Sequence, residues 1–391
     1  MRRKICFFTS SRSEYGLLRP LINLLERCDK FEVTLIVSGT HLLQSFGNTS
    51  EEINLSTNCQ VIVASYLEEG DDASSCSRGL SILVARIGAI FKENYFDLLF
   101  LLGDRYELLS VAHIASIFRL PIAHLHGGEL TYGSMDDNFR HAITKLSHLH
   151  FVACEEYRKR VIQMGELPKN VINVGALAIE NIKKLKKLEK ETLCKHLDVP
   201  DNKPIFALTY HPETNSQGDD AAIIENLILS LLTQECIIII TGTNSDPGYI
   251  CLQSIIKNFV AKYPSKVFFF PSLGFINYLN LIRHSEAVVG NSSSGILEAP
   301  YLDTPTINIG IRQKGRLSGR SIIHSDGSRD HMAMSIKLAR RIKVSQEKEN
   351  YDLYFGDGSS SEKILKQLLN IIEFKNLLAK DFYDINGRVN D

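Results

Sequence analysis

Short apolar runs alternate with helix-length segments along almost the whole chain, and this alternation constrains the fold more than any other feature of the sequence. Runs that are apolar on both faces are typical of buried parallel strands, and the spacers have the length of crossover helices. The first series of predicted strands lies at 5–9, 33–37, 61–64, 97–102, 122–125, 150–153 and 171–174. The second series lies at 205–209, 237–241, 267–270, 287–289 and 306–309. Two successive series predict an α/β protein with two Rossmann-like, doubly wound sheets facing a cleft.

The boundary between the two series is a highly charged segment, KKLKKLEKETLCKHLDVPDNKP, which ends in Pro204 and is typical of an exposed helix followed by a linker. We therefore predict an N-terminal domain at 1–175, a linker at 176–203 and a C-terminal domain at 204–370. Residues 371–391 are expected to form a C-terminal helix or tail that packs back across the cleft.

Composition excludes several classes of protein. The 44 Lys and Arg residues nearly balance 45 Asp and Glu residues, so no basic excess points to nucleic acid or an anionic membrane. No apolar stretch reaches the roughly 18 residues of a membrane-spanning helix, and the apolar run after the basic N-terminus is too short for a signal peptide. The eight cysteines are scattered without a CxxC pair, which predicts a reduced, cytoplasmic protein without disulfides or zinc.

Polar residues follow the first and fourth predicted strands, at the edge where doubly wound sheets bind ligands. The first strand leads into SRSEYG, where Arg12 and a helix N-terminus suit an anion, although a solvated loop with a helix cap has the same pattern. The fourth strand leads into GDRYE, which places Asp104 at the rim and Arg105 at the start of a helix. The alternative for Asp104 is the N-cap of that helix.

The fifth predicted strand ends in HLHGGE, in which strand periodicity puts His124 and His126 on the same side and Glu129 just beyond. A metal site would need a further ligand that the sequence does not offer, so we favour acid/base groups over a metal. Asp136 and Asp137 then precede an amphipathic helix, where a capping role is the alternative to catalysis.

Polar loops also follow the strands of the second series. His211 lies in HPET, and Asn244 lies in a glycine-containing loop, both suited to a nucleotide base and ribose. The stretch IGIRQKGR carries Arg312 among three cations, which is a candidate phosphate site or simply an exposed basic loop.

The most specific local pattern is NSSSGILE. Ser292 and Ser293 follow a predicted strand and offer hydroxyl and N–H groups to a diphosphate at a helix N-terminus. Glu298, one turn along, is suited to accept hydrogen bonds from ribose hydroxyls. A simple helix-capping box is the alternative.

Together these motifs resemble the hydrolysing UDP-N-acetylglucosamine 2-epimerases of bacterial sialic acid synthesis. The resemblance runs in order through SRSEYG, GDRYE, HLHGGE, DDNFRHAITK, HPET, NSSSGILE, IGIRQKGR and the terminal KDFYDI. It implies a glycosyltransferase-B-like fold that holds the nucleotide mainly on the C-terminal domain. It also implies a UDP-sugar as the partner, no cofactor and no metal, and a homodimer or homotetramer.

The reaction that this resemblance implies is the first step of sialic acid synthesis. UDP leaves UDP-N-acetylglucosamine by anti elimination to a 2-acetamidoglucal, and water then adds to give N-acetylmannosamine. Asp104 and Asp136 match the family's catalytic carboxylates, and Arg105 stands beside the first of them. The residues matched to the nucleotide site are His211, Asn244 and, for the ribose, Glu298. The residues expected to stabilise departing UDP are Ser292, Ser293, Arg12 and Arg312.

One departure from the family concerns the proton transfer. Many relatives read HIEGGE, so His126 stands where they have a catalytic Glu, and either His126 or Glu129 carries the proton here. We favour His126, because imidazole titrates near neutral pH. Relatives in legionaminic acid synthesis share the HxHGGE form, so UDP-N,N'-diacetylbacillosamine is the alternative substrate. The stretches KDFYDI and IGIRQKGR are more similar to those of the sialic acid members. UDP-N-acetylglucosamine is therefore the first candidate substrate.

Three other functions fit parts of the pattern. A retaining glycosyltransferase would share the diphosphate site but would need an acceptor pocket in place of the carboxylates. A non-catalytic UDP-sugar sensor would bind without turnover. A non-hydrolysing epimerase would share the elimination step and return a UDP-sugar instead of a free sugar.

Overall fold

The structure, a computed structural model, describes residues 2–43, 53, 59–67, 72–213, 219–243, 248–345 and 353–385. The chain divides into two compact units. Unit 1 comprises Met1–Glu129, Asp136–Asn181 and Phe355–Asp391, and unit 2 comprises Leu130–Met135 and Ile182–Tyr354.

Unit 1 is built on a parallel sheet whose order, in the described part of the chain, is β3-β2-β1-β4-β5-β6-β7. Its strands are β1 Arg3–Thr9, β2 Phe31–Ser38, β3 Gln60–Ala64, β4 Leu98–Leu102, β5 Ile122–Leu125, β6 Leu149–Val152 and β7 Val171–Asn173. Its helices are α1 Arg12–Glu26, α2 Ala73–Glu93, α3 Tyr106–Ile117, α4 Asp136–Leu146, α5 Glu155–Gln163 and α6 Leu177–Lys183, the last ending just past the unit boundary. Short 3₁₀ helices lie at Gly39–Leu42 and Pro168–Asn170.

Unit 2 repeats this architecture with a parallel sheet in the order β10-β9-β8-β11-β12-β13 over its described residues. Its strands are β8 Ile205–Thr209, β9 Ile237–Thr241, β10 Val267–Phe270, β11 Ser285–Gly290, β12 Thr306–Ile309 and β13 Ile322–Ser325. Its helices are α7 Lys190–Leu197, α8 Asp220–Leu232, α9 Tyr249–Lys262, α10 Gly274–His284, α11 Ser294–Leu297 and α12 Arg329–Ser345, with a 3₁₀ helix at Ala299–Leu302.

The prediction of two doubly wound parallel sheets is confirmed. Each predicted strand is present, with ends that differ by no more than a few residues. The sequence analysis missed β13, which is only four residues long and pairs with β12 alone in the described part of the sheet. Its central residues Ile323 and His324 are not buried, so the continuous apolar run typical of an interior strand is absent there.

The core of unit 1 shows why continuous apolar runs form its strands. Ile5 and Phe7 of β1 point into one apolar cluster, while Cys6 and Phe8 point into the other. A strand covered by helices on both faces has no polar side, so successive residues are all apolar. Phe7 also stacks on Phe100 of β4, with ring centroids 4.7 Å apart.

The chain returns to unit 1 after residue 354 and adds α13, Ser360–Asn370, and a 3₁₀ helix at Phe374–Leu378. Ile364 and Leu368 of α13 are buried in the same cluster as Leu18 and Leu21 of α1. Beyond α13, Lys380 contacts the buried carboxylate of Glu166 at 2.8 Å. The end of the described chain is therefore an integral part of unit 1.

The charged segment after residue 182 contributes to the core of unit 2. Leu193, Cys194 and Leu197 of α7 are buried against the strands β8 and β9. The charged side chains between them lie on the opposite, solvated face of this amphipathic helix.

All eight cysteines are free thiols in the structure. Within the described ranges, no helix combines the length and the apolar character that spanning a membrane requires.

Candidate active site

The order of each sheet reverses between two neighbouring strands, and such a switch point is where doubly wound sheets bind their ligands. In unit 1 the reversal lies between β1 and β4, which lead into SRSEYG and GDRYE. In unit 2 it lies between β8 and β11, which lead into HPET and NSSSG. The motifs chosen from the sequence therefore follow the strands that flank these two switch points.

Arg140 of α4 organises the predicted carboxylates of unit 1. Its guanidinium donates to the carboxylates of Asp104 and Asp137 and, at 3.0 Å, to the backbone oxygen of Glu129. The Arg140 residue is only 1% exposed, so its charge is compensated by these acceptors rather than by water. Asp104 does not cap the following helix, because the N-cap position of α3 is Arg105.

His126 and Glu129 form a hydrogen-bonded pair in the loop after β5. Nδ1 of His126 lies 2.7 Å from Oε1 of Glu129, and Nε2 accepts a longer bond of 3.4 Å from the backbone N–H of Leu177. Since Nε2 accepts, the ring proton is assigned to Nδ1, where it is donated to Glu129. Both side chains are buried.

The backbone of this loop explains its sequence. His126 has a φ of 64°, just past the end of β5, so strand alternation does not extend to it. Gly128 has a φ of 80°, and a Cβ there would collide with the backbone oxygen of Tyr157. His124 is instead a structural residue: it bonds the oxygen of Gly103 at 2.8 Å, and burial lowers its pKa to about 3.

The remaining predicted residues of unit 1 lie at helix starts. Arg12 is the first residue of α1, and Asp136 is the buried first residue of α4. Arg105 donates from Nε to Oε1 of Glu107 at 2.7 Å. Glu107 was not selected from the sequence, because a Glu in the first turn of a helix is ordinary.

In unit 2, His211 is fixed by a reciprocal pair of bonds to the side chain of Asn291. The His211 N–H donates to Asn291 Oδ1 at 2.7 Å, and Asn291 Nδ2 donates to the His211 oxygen at 2.8 Å. This joins the ends of β8 and β11. Gly290 has a φ of 123° and approaches Thr209 so closely that a Cβ would clash with the Thr209 carbonyl oxygen.

The serine turn of NSSSGILE is lined by hydroxyl groups around Glu298. Ser292 and Ser293 precede α11, a helix of only four residues. The phenol of the partly buried Tyr278 contacts Ser292, Ser294 and Thr209, and desolvation together with the charge of Glu298 raises its pKa to about 12. Burial raises the pKa of Glu298 itself to about 7.

The basic loop IGIRQKGR is ordered by a carboxylate from HPET. Oε1 of Glu213 accepts the backbone N–H groups of Ile311 and Arg312 at 2.8 and 2.9 Å. Arg312 is buried rather than part of an exposed basic loop. Asn244, the other predicted nucleotide residue, lies outside the described residues.

Several site residues were missed by the sequence analysis. Arg140, Tyr278 and Glu213 each contact predicted residues from a different element. Arg140 lies in the motif DDNFRHAITK and Glu213 lies in HPET, so these motifs could have indicated both residues. Tyr278 lies in an ordinary amphipathic helix, which gives no such indication. No cluster of three or more His, Cys, Asp or Glu side chains suited to a metal ion occurs among the described residues.

Two parallel α/β sheets with polar loops after the strands at both switch points define a doubly wound α/β protein with candidate ligand sites at those loops. Residues 23–369 match the family model described as UDP-N-acetylglucosamine 2-epimerase. A Campylobacter jejuni protein named GDP/UDP-N,N'-diacetylbacillosamine 2-epimerase (hydrolyzing) is 36% identical over 98% of this chain and 100% of its own length. An Escherichia coli protein named polysialic acid biosynthesis protein P7 is 35% identical over 98% of each chain.

The fold is shared with solved structures. The crystal structure of UDP-GlcNAc 2-epimerase from Neisseria meningitidis bound to UDP-GlcNAc superposes with a TM-score of 0.78 at 16% identity, covering 94% of this chain and 100% of that one. The chain belongs to the UDP-N-acetylglucosamine 2-epimerase family.

Proposed function

We propose that the protein is a hydrolysing 2-epimerase that converts UDP-N-acetylglucosamine and water to N-acetylmannosamine and UDP. The observation that carries this proposal is the arrangement around Arg140, which ties Asp104, Asp137 and the Glu129 backbone together while Glu129 holds His126. Several carboxylates and an imidazole held close together suit a reaction that moves protons in two successive steps.

In the first step, a base removes the C2 proton while the bond between C1 and the diphosphate oxygen breaks. The C2–H electrons form the C1–C2 double bond, and UDP leaves with the electron pair of the C1–O bond. In the second step, water supplies a hydroxyl to C1 and a proton returns to the other face of C2. Free N-acetylmannosamine is therefore released, and one water is consumed.

His126 is our candidate for one of these proton transfers. Among the described residues its Nε2 accepts the 3.4 Å bond from the Leu177 N–H, whereas its Nδ1 donates to Glu129 at 2.7 Å. A carboxylate on the far ring nitrogen stabilises the imidazolium that forms when Nε2 takes a proton. Asp104 and Asp136 are the candidates for the complementary transfers.

Unit 2 is our candidate for holding UDP. Ser292, Ser293 and Arg312 would stabilise the diphosphate as it leaves, and Glu298 would accept the ribose hydroxyls. The hydroxyl lining around Glu298 supports this assignment, because such groups replace the hydration of a polar ligand. His211 and Asn244 complete the proposed nucleotide site.

A second substrate is favoured by one specific observation. The Campylobacter jejuni relative is named for N,N'-diacetylbacillosamine, and the Escherichia coli relative, named for polysialic acid, is almost equally similar to this chain. UDP-N,N'-diacetylbacillosamine carries an acetamido group in place of the C4 hydroxyl and also lacks the C6 hydroxyl. It is therefore the second candidate substrate for the same reaction.

Proton NMR of the purified protein with UDP-N-acetylglucosamine in deuterated water tests the proposal. We expect free N-acetylmannosamine with deuterium at C2, together with UDP. Accumulation of UDP-N-acetylmannosamine would show a non-hydrolysing epimerase instead. Turnover of only UDP-N,N'-diacetylbacillosamine in a parallel tube would assign the second substrate, and no turnover of either would contradict the epimerase proposal.

A further inference from the structure

Two buried carboxyl groups meet at the switch point of unit 1, apart from the residues discussed so far as proton carriers. Glu14 of α1 is 7% exposed, and Glu107 of α3 is 1% exposed. They are joined by Ser10, which directly follows β1 and is itself buried. The cluster thus connects the helices that follow the two strands flanking the reversal of the sheet.

The hydrogen bonds of Ser10 limit the number of protons in this cluster. Its Oγ lies 2.7 Å from Oε1 of Glu107, and 3.2 and 3.1 Å from the two carboxyl oxygens of Glu14. A serine hydroxyl has one proton to donate, and ionised carboxylates only accept. Ser10 donates its proton to Glu107, over the shorter distance. Its contact with Glu14 is then a hydrogen bond only if Glu14 carries a proton and donates it to the Ser10 oxygen.

The positions of the other donors indicate which carboxyl is neutral. Arg105 donates from Nε to Oε1 of Glu107 at 2.7 Å, so the guanidinium is paired with Glu107 rather than with Glu14. Glu14 receives the Ser10 backbone N–H on Oε2 at 2.7 Å, which leaves its other oxygen to hold a proton toward Ser10. The buried cluster contains two carboxyl groups and one guanidinium. A proton on one carboxyl group is therefore favoured, because it makes the net charge of the cluster zero.

We propose that Glu14 is a neutral carboxylic acid in the working enzyme and that the chain from Glu14 through Ser10 to Glu107 positions the guanidinium of Arg105. This inference rests on the proposed function, because Arg105 is a residue matched to the epimerase site. Glu14, Ser10 and Glu107 are positioning residues in this arrangement, and they act through Arg105. If Glu14 were ionised, both carboxylates would compete for the single proton of the Ser10 hydroxyl. Glu107 would then move, and Arg105, which is bonded to it, would move as well.

The titration of Glu14 falls in the working range of pH. Burial, followed by the charge of Glu107, raises its pKa to about 7 against the opposing effects of Arg105 and Ser10. The form that positions Arg105 is therefore present below about pH 7 and is lost as the pH rises above it.

The neighbouring tyrosines, Cys76 and His41 do not titrate in this range. Burial raises the pKa values of Tyr66, Tyr106 and Cys76, which interact with Glu107. On the other side, burial followed by the charge of Arg12 lowers the pKa of His41 to about 4. The titratable and charged groups facing the cluster are Arg105 and Glu107, Tyr106, Tyr66, Cys76, Arg12 and His41.

The pH profile of kcat/KM is the first test, with Glu14→Gln as the key variant. A glutamine amide reproduces the protonated acid, since it accepts from the Ser10 N–H and donates to Ser10 Oγ. We expect the wild-type value to fall about 25-fold between about pH 6.5 and pH 8.5, as for loss of one proton at a pKa of about 7, and the fall to be absent in Glu14→Gln. The control Glu93→Gln, on the exposed end of α2, should retain the wild-type profile. An unchanged alkaline fall in Glu14→Gln would overturn the proposal.

Glu107→Gln tests the positioning of Arg105. Removing the anion that orients the guanidinium should raise KM about ten-fold with a smaller change in kcat, if Arg105 acts mainly in binding. A variant with unchanged KM and unchanged pH profile would show that Glu107 does not position Arg105.

A readout without substrate separates this inference from the proposed function. Infrared difference spectra between wild type and Glu14→Gln should show a protonated carboxyl band near pH 6 that disappears in wild type above about pH 8. The band does not depend on turnover, so it is expected even if the protein acts on another sugar. Absence of the band at pH 6 would show that Glu14 is ionised and would overturn the inference by itself.

Discussion

Single side chains in unit 1 connect segments that are far apart in sequence. Arg140 reaches Asp104, which is 36 residues earlier in the chain, and also the loop that carries Glu129. A planar guanidinium suits this role because it donates in several directions at once, which an ammonium group does with less geometric specificity. The candidate catalytic groups are therefore held by side-chain hydrogen bonds rather than by the backbone alone.

His126→Gln is the residue-scale prediction. Glutamine keeps a polar side chain but cannot transfer a proton, so we expect turnover to fall by a factor of about 100 or more. UDP affinity should stay within about three-fold, because the substitution leaves the proposed nucleotide residues unchanged. NMR of sugar release measures the loss of turnover, and calorimetry measures the affinity for UDP.

Glu129→Gln is the matched comparison for that variant. If Glu129 only stabilises the imidazolium, its loss should cost less than the loss of His126. Near-normal turnover in His126→Gln, combined with an inactive Glu129→Gln, would transfer the proton-carrying role to Glu129.

At the scale of elements, the approach of β11 to β8 depends on the absence of a side chain at Gly290. Its φ of 123° is strained for other residues, and a Cβ would meet the backbone oxygen of Thr209. The serine turn follows this point directly, so the position of Ser292 depends on the same close approach. The reciprocal bonds between His211 and Asn291 lie immediately beside it.

Gly290→Ala is the element-scale prediction. We expect a loss of unfolding free energy of about 3 kcal/mol or more, because neither the strand backbone nor the φ angle can adapt cheaply. The matched control is Gly88→Ala in the middle of α2, where an added Cβ meets nothing within 4 Å. That change should stabilise the protein by about 0.5–1 kcal/mol through helix propensity. Urea unfolding of both variants measures the difference, and equal stabilities would refute the steric argument.

At the scale of the whole molecule, the chain passes from one unit to the other and back. The last described segment belongs to unit 1, where Lys380 donates to Glu166 and to the backbone oxygens of Lys145 and Ser147. Burial alone would raise the pKa of Glu166, but hydrogen bonds from His150, Lys145 and Lys380 hold it at about 2. The C-terminal segment thus stabilises a carboxylate more than 200 residues away.

Lys380→Met is the whole-molecule prediction. It removes three charge-assisted hydrogen bonds and should lower the free energy of unfolding by about 2 kcal/mol at neutral pH. The pKa of Glu166 is lower in the folded protein than in the unfolded chain, so its contribution is present above about pH 4.5 and is lost as the pH falls toward 2. The difference between variant and wild type should therefore shrink in acid. Thermal unfolding across pH measures it, with the exposed Lys366→Met as a control; a pH-independent difference would contradict the mechanism.

The sequence by itself determined the fold class of this protein and the segments that carry its chemistry. A strand buried on both faces must be apolar throughout, so runs such as 5–9 and 205–209 could be recognised without any knowledge of their partners. Doubly wound sheets bind ligands where the strand order reverses, so the polar residues after those strands, including Asp104 and Ser292, could be predicted as site residues. The strand β13 was not predicted, because a half-exposed edge strand has no such continuous apolar run.

Only the tertiary structure decided which of these polar residues act together. The contacts of Arg140 with Asp104, of Glu14 with Glu107 through Ser10, and of Tyr278 with the serine turn each join separate elements. No local pattern encodes such pairs, because hydrogen bonding depends on distances of about 3 Å between atoms that sheet packing brings together. Burial has the same origin: no local pattern shows that Glu14 and Glu298 are buried, and only the packing around them raises their pKa values to about 7.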